Sequence, residues 1–218
     1  MRRALGLLVF LFFLLLLGSS DLVAKQDVYI VDTFTHGLGT EKDSWWQFDD
    51  ILLTVERNKP KSKQEKKILG EKSLRVQGAT KQWYYGGVGR YLGVDLLPYN
   101  AIKVVLYSSK ANSALVRVQL FDDDNNNWRV DLNHTQEKAV LDDVFEYNIL
   151  MDWEGWRVVT IPVVDFKDSN PTVGDNIWNP YYTGSSGGML QMQFMFFSPK
   201  EQESTLDIRI DAIKFVKI

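Results

Sequence analysis

The chain contains no cysteine and only two histidines, His36 and His134. Without thiols there are no disulfide staples, no thiol nucleophile and no zinc–thiolate cluster, so stability must come from a hydrophobic core, helped at most by a bound ion. The two histidines lie far apart in sequence and no serine sits in a Gly-x-Ser-x-Gly elbow, so a hydrolytic triad is not expected. The formal net charge is −3, and no basic stripe marks a nucleic-acid binder. No internal repeat of useful period is present. Amphipathic helix is also scarce: the best candidate, Gln136 to Val144, is brief and rich in charge.

One long apolar run exists, from Ala4 to Leu17, preceded by Arg2 and Arg3 and followed by Gly18-Ser19-Ser20. It has the length of a signal-peptide core and falls short of a membrane span, which needs roughly 20 apolar residues. Residues 1–24 are therefore expected to be a signal peptide, cleaved after Ser20 or Ala24. The product would be exported to the periplasm or the extracellular space, with no membrane span after cleavage. No cysteine follows the run, which excludes a lipoprotein anchor. The remaining segment, 25–218, is long enough for one domain with a real core.

What fills that segment is short apolar alternation. Val116, Val118 and Leu120 alternate with Arg117 and Gln119, and Leu190, Met192, Phe194 and Phe196 with Gln191 and Gln193. Leu206, Ile208 and Ile210 alternate with Asp207, Arg209 and Asp211, the period of strands with one dry and one wet face. Further strands are expected at Val28–Phe34, Ser73–Val76, Ala101–Tyr107, Glu146–Leu150 and Trp156–Ile161, and Trp45–Val55 is a further apolar stretch. Lysine-rich residues 56–72 read as a solvated loop. Many short strands punctuated by glycine, asparagine and proline predict an all-β fold, a single antiparallel β-sandwich or jelly roll.

Paired carboxylates occur at Asp49-Asp50, Asp122-Asp123-Asp124 and Asp142-Asp143. They sit in apparent turns, where aspartate is expected for turn geometry alone, so a glycosidase pair is not the preferred reading. Asp122-Asp123-Asp124-Asn125-Asn126-Asn127 fails as an EF-hand: Asn127 replaces the required glycine, Asn133 the bidentate glutamate, and strands flank it. A β-hairpin turn is the better account.

Four elements in order resemble the galactose-binding-like jelly rolls, especially the family 11 carbohydrate-binding modules. They are Ser73-Leu74-Arg75-Val76 leading into Gln82 to Gly89, Leu97-Pro98-Tyr99-Asn100-Ala101-Ile102, Val116 to Asp124, and Trp156 to Phe166, with Ile210-Asp211-Ala212-Ile213 closing the chain. The resemblance covers roughly two-thirds of the sequence, from Glu71 onward. It implies a non-catalytic protein whose partner is a glycan. A weaker resemblance, in the Gly-Trp strand near the end, is to flagellar-sheath proteins of periplasmic flagella. That one implies contacts with other envelope or filament proteins in a coat or assembly role.

Sugar binding asks for aromatic faces to stack on pyranose rings and for amides or charged groups to bond the hydroxyls. Candidate aromatics beside glycine, asparagine or proline are Trp83, Tyr84, Tyr85, Tyr99, Trp128, Trp178, Tyr181 and Tyr182. Candidate polar residues are Arg117, Gln119, Gln191 and Gln193, on one sheet face; Trp156 and Phe194 are expected in the core. The resemblance further implies a structural calcium ion where the first and last strands meet, held by Asp32 and Asp211, with Asp49 or Asp50 adding oxygens.

Overall fold

The computed structural model describes residues 27–40, 44–133, 138–181, 188–200 and 202–218. In chain order its strands are β1 (Val28–Asp32), β2 (Trp45–Phe48), β3 (Ile51–Arg57), β4 (Lys72–Thr80), β5 (Tyr84–Val94), β6 (Ala101–Ser108) and β7 (Leu115–Asp122). They continue with β8 (Leu132–Asn133), β9 (Lys138–Ala139), β10 (Val144–Leu150), β11 (Gly155–Pro162), β12 (Lys167–Asp168), β13 (Met189–Phe197) and β14 (Ser204–Val216). One four-residue helix, α1 (Glu65–Ile68), interrupts the lysine-rich segment that sequence alone reads as loop. The apolar run near the N-terminus lies outside the described residues, and among those described no helix is long and apolar enough to cross a membrane.

Two antiparallel sheets stack as a β-sandwich. The first has the order β11-β6-β14-β4-β3, with β1 also paired to β14; the second runs β12-β10-β7-β13-β5-β2, and β8 and β9 form a separate small hairpin. The predicted alternation explains the core between them. Val116, Val118 and Leu120 of β7 and Met192, Phe194 and Phe196 of β13 are fully buried, facing Leu74, Val76, Ile102, Val104, Leu106, Ile208 and Ile210 of the first sheet. Each such side chain contributes about 1.5–3 kcal/mol by leaving water.

Local chemistry departs from simple alternation at a few places. The apolar stretch Trp45–Val55 is two strands in opposite sheets, because the chain breaks at Asp49, which adopts a left-handed φ of 61°. Residues 84–94, which include the candidate aromatics Tyr84 and Tyr85, form the eleven-residue β5, a strand not among those expected. A register shift between Met189 and Gln191 moves Leu190 out of phase with Met192: it packs with Phe121, Ala139 and Val144 in a second, small cluster on the outer side of the second sheet. Within Gln136–Val144, the best of the weak helix candidates, Lys138–Ala139 is strand β9. Trp156 is half-buried and pairs with Tyr107, rings 5.2 Å apart, rather than entering the core as Phe194 does.

Candidate functional site

The outer face of the second sheet gathers the predicted polar residues. Residues directly opposite one another in antiparallel strands share a face, so the register writes the surface as rows. One row runs Trp46–Gly89–Gln193–Gln119–Glu146, and the next Phe48–Gly87–Met195–Arg117–Asn148. At the usual strand spacing of about 4.8 Å, a row across these five strands is about 19 Å long, a length that suits an oligosaccharide better than a single sugar.

Four side chains in these rows hold one another in place. Arg117 donates from Nε to Asn148 Oδ1 at 3.0 Å and forms an ion pair with Glu146 at 3.4 Å, while Gln119 Nε2 reaches the same carboxylate at 3.4 Å. Such cross-linked groups lose less side-chain entropy on binding a ligand. Two glycines shape the other half of the face. A Cβ at Gly87 would stand 2.2 Å from Phe48 Cζ, and one at Gly89 2.4 Å from Trp46 Cζ2, so both rings lie over bare backbone.

Aromatics border both ends. At one end Trp83, 48% exposed, stacks on Phe197 at 5.2 Å and 5°, and the Arg117 guanidinium lies 5.1 Å from that ring. Tyr84 sits beside them and donates its hydroxyl to Asp49 at 2.6 Å. At the other end the Tyr91 hydroxyl donates to the carbonyl of Trp128, which is 45% exposed.

The structure therefore brings together Arg117, Gln119, Gln191, Gln193, Trp83, Tyr84 and Trp128, and separates the rest. Tyr85 is 2% exposed, with its hydroxyl bonded to Ser204, because it points from β5 into the sandwich; it is a core residue. Tyr99 packs near Tyr29 at 6.4 Å, beside the end of β14 in the other sheet. Trp178 meets the inward ring of Phe145 edge-on at 5.4 Å and belongs to the core margin. Tyr181 is half-buried in the β12–β13 connection, and Tyr182 lies outside the described residues. Sequence reasoning missed Trp46, Phe48, Tyr91, Met195, Glu146 and Asn148. The available clue was Gly87-Val88-Gly89, two small residues on one face of a strand, which invites large neighbours.

Asp32 and Asp211, the pair from which a structural calcium is expected, each have partners of their own. Asp32 faces the guanidinium of Arg90 and accepts bonds from Trp45 Nε1 at 2.8 Å and Phe34 N at 2.6 Å. Asp211 accepts from Asn58 Nδ2 at 2.7 Å and Gly70 N at 2.8 Å. A carboxylate already neutralised by arginine has little left to offer a cation, and the two acids have separate partners.

The face opposite, on the first sheet, holds a groove of about 670 Å³ lined by Trp156, Tyr107, Arg209, Glu56 and Arg57. Its charges are largely spent on each other: Arg209 and Arg75 both pair with Glu56, at 3.1 and 3.0 Å, and Arg75 also with Asp207.

No family model matches the chain, and no curated protein matches it. Solved structures do. A family 11 module from Clostridium thermocellum, in complex with a β-1,3-1,4-mixed-linked tetrasaccharide, superposes with a TM-score of 0.52 at 15% identity, covering 87% of this chain and 95% of that one. The chain has the β-sandwich fold of family 11 carbohydrate-binding modules. The family 11 module of the Clostridium thermocellum cellulosomal cellulase Lic26A-Cel5E gives 0.51 at 14% identity, covering 88% and 95%. The CBM22-1 xylan-binding domain of Paenibacillus barcinonensis Xyn10C gives 0.44 at 13% identity, covering 89% and 99%.

Proposed function

We propose that this is an exported, non-catalytic glycan-binding protein that receives an oligosaccharide on the outer face of its second sheet. The observation that carries the reading is the arrangement of that face: a cross-linked group of Gln119, Glu146, Arg117 and Asn148, with Gln193 opposite Gln119 and aromatic rings at both strand ends of the face. Amides, carboxylate and guanidinium supply donors and acceptors for hydroxyls, and the exposed ring of Trp83 supplies a stacking surface for the apolar side of a sugar. The fold shared with carbohydrate-binding modules agrees with this reading. Export rests on the N-terminal apolar run flanked by arginines.

Titration calorimetry with an oligosaccharide panel that includes mixed-linked β-glucan and xylan fragments tests it. Binding is expected to fall at least tenfold in Trp83→Ala and in Gln193→Ala and to be unchanged in Trp156→Ala, on the opposite face. Loss of binding in Trp156→Ala alone would move the site to the first sheet. A protein that ignores every glycan and self-associates would favour the envelope-coat role instead.

A further inference from the structure

Beneath the Trp128 end of this face, three connections converge: the turn after β7, the approach to β10 and the loop between β12 and β13. Each brings aspartates into the interior. Asp122, Asp123, Asp142 and Asp143 are all fully buried, although their sequence context is that of turns. Among the described residues, no arginine or lysine forms an ion pair with any of these four, or with Asp124 or Asp175.

Turn geometry accounts for some of these oxygens. Asp123 accepts from the backbone N–H groups of Asn125, Asn127 and Trp128, as a turn aspartate does. It does not account for the others. Oδ1 of Asp122, Asp142 and Asp143 is buried with no hydrogen-bond partner, as is Oδ1 of Asp124. A buried, unpartnered carboxylate oxygen is costly, and several side by side are costlier still.

The oxygens also converge. One carboxylate oxygen each from Asp124, Asp143 and Asp175 lie within 4.8 Å of one another. Gly174, in a left-handed conformation (φ 66°), sits against the cluster: a Cβ there would fall 2.2 Å from both Asp124 Oδ2 and Asp143 Oδ1. The glycine thus leaves open a space that any side chain would fill.

We propose that Asp124, Asp143 and Asp175 bind a calcium ion that clamps these three connections together at the end of the second sheet. Several hard oxygen donors with neither nitrogen nor sulfur among them suit calcium, which accepts six to eight oxygens in flexible geometry. Magnesium demands a near-ideal octahedron. Asp175, exposed at the surface, gives the ion a way in. The site is separate from Asp32 and Asp211 and does not depend on glycan binding.

The test is calcium titration of chelator-treated protein by calorimetry, with the thermal midpoint recorded in EDTA and in excess Ca²⁺. Wild type is expected to take up one Ca²⁺ saturably and to melt at a higher temperature with it, while the same concentration of Mg²⁺ leaves the midpoint unchanged. Asp143→Asn and Gly174→Ala should weaken calcium at least tenfold. Asp175→Asn alters an exposed side chain, so it carries the test if the buried variants fail to fold, and it too should lose affinity. Asp211→Asn should bind calcium as wild type does. The proposal is overturned if wild type shows no saturable uptake, if Asp175→Asn retains full affinity, if Asp211→Asn abolishes binding, or if Mg²⁺ raises the midpoint equally.

Discussion

Filling the space beneath Trp46 tests the construction of the glycan face directly. In Gly89→Ala the new methyl would stand 2.4 Å from Trp46 Cζ2 and 2.5 Å from Cε2, well inside contact distance. The backbone at Gly89 is not in a left-handed region, so alanine fits the strand and the whole cost is steric. Displacing a packed ring costs about 1–3 kcal/mol. Replacing glycine by alanine returns about 0.4–1 kcal/mol by restricting the unfolded chain. The net expectation is a loss of roughly 1–2 kcal/mol, or about 2–8 °C in melting temperature for a domain of this size. Removing the ring reverses the sign: in a Trp46→Ala background, Gly89→Ala should stabilise by about 0.4–1 kcal/mol. The double-mutant cycle therefore predicts a coupling of about 1–3 kcal/mol, read from urea midpoints at unchanged m-value. Equal effects of Gly89→Ala in both backgrounds would refute the reasoning, because the glycine would then serve the backbone and not the ring.

Two further outcomes follow from buried groups. In the presence of chelator, Asp122 is pushed up to about 8, first by burial and then by Asp124 and Asp143, whereas in the unfolded chain an aspartate titrates near its ordinary value of about 3.9. Between those values the folded state holds more protons, so stability falls as pH rises through that window and levels off above it. A melting temperature in EDTA that rises from pH 5 to 8 would contradict this. In the core, Phe194 is fully buried against Trp45, rings 6.2 Å apart. Phe194→Ala should cost about 3–5 kcal/mol in urea denaturation, and a loss below about 1 kcal/mol would mean that the two sheets do not pack there as described.

Much of the architecture is legible locally because strand alternation is a local property. Val116 to Leu120 and Met192 to Phe196 show which face is dry without reference to any partner, and with that they place Arg117, Gln119 and Gln193 on the wet face. The reading fails where a bulge changes the phase, as at Leu190, or where one residue turns the chain into the other sheet, as at Asp49. It fails again with the aromatics. Tyr84 and Tyr85 are adjacent and chemically alike, yet one borders the candidate site and the other fills the core, since successive strand residues point to opposite faces. Trp178 stands among asparagine and proline, as a surface ring would, but the edge of Phe145 claims it.

The acidic turns mark the same boundary from the other side. The sequence by itself determined an all-β chain, its wet and dry strand faces and the presence of aspartate-rich turns, because each of these depends on residues within a few positions of one another. Tertiary structure alone decided that Asp124, Asp143 and Asp175, from three separate connections, meet around Gly174. It also decided that Trp46 and Phe48 lie over Gly89 and Gly87, while Asp32 turns to Arg90 rather than toward Asp211. Those meetings are set by sheet order and strand register, which come from packing two faces into one core, so the spacing of residues along the chain does not say which partner each one meets.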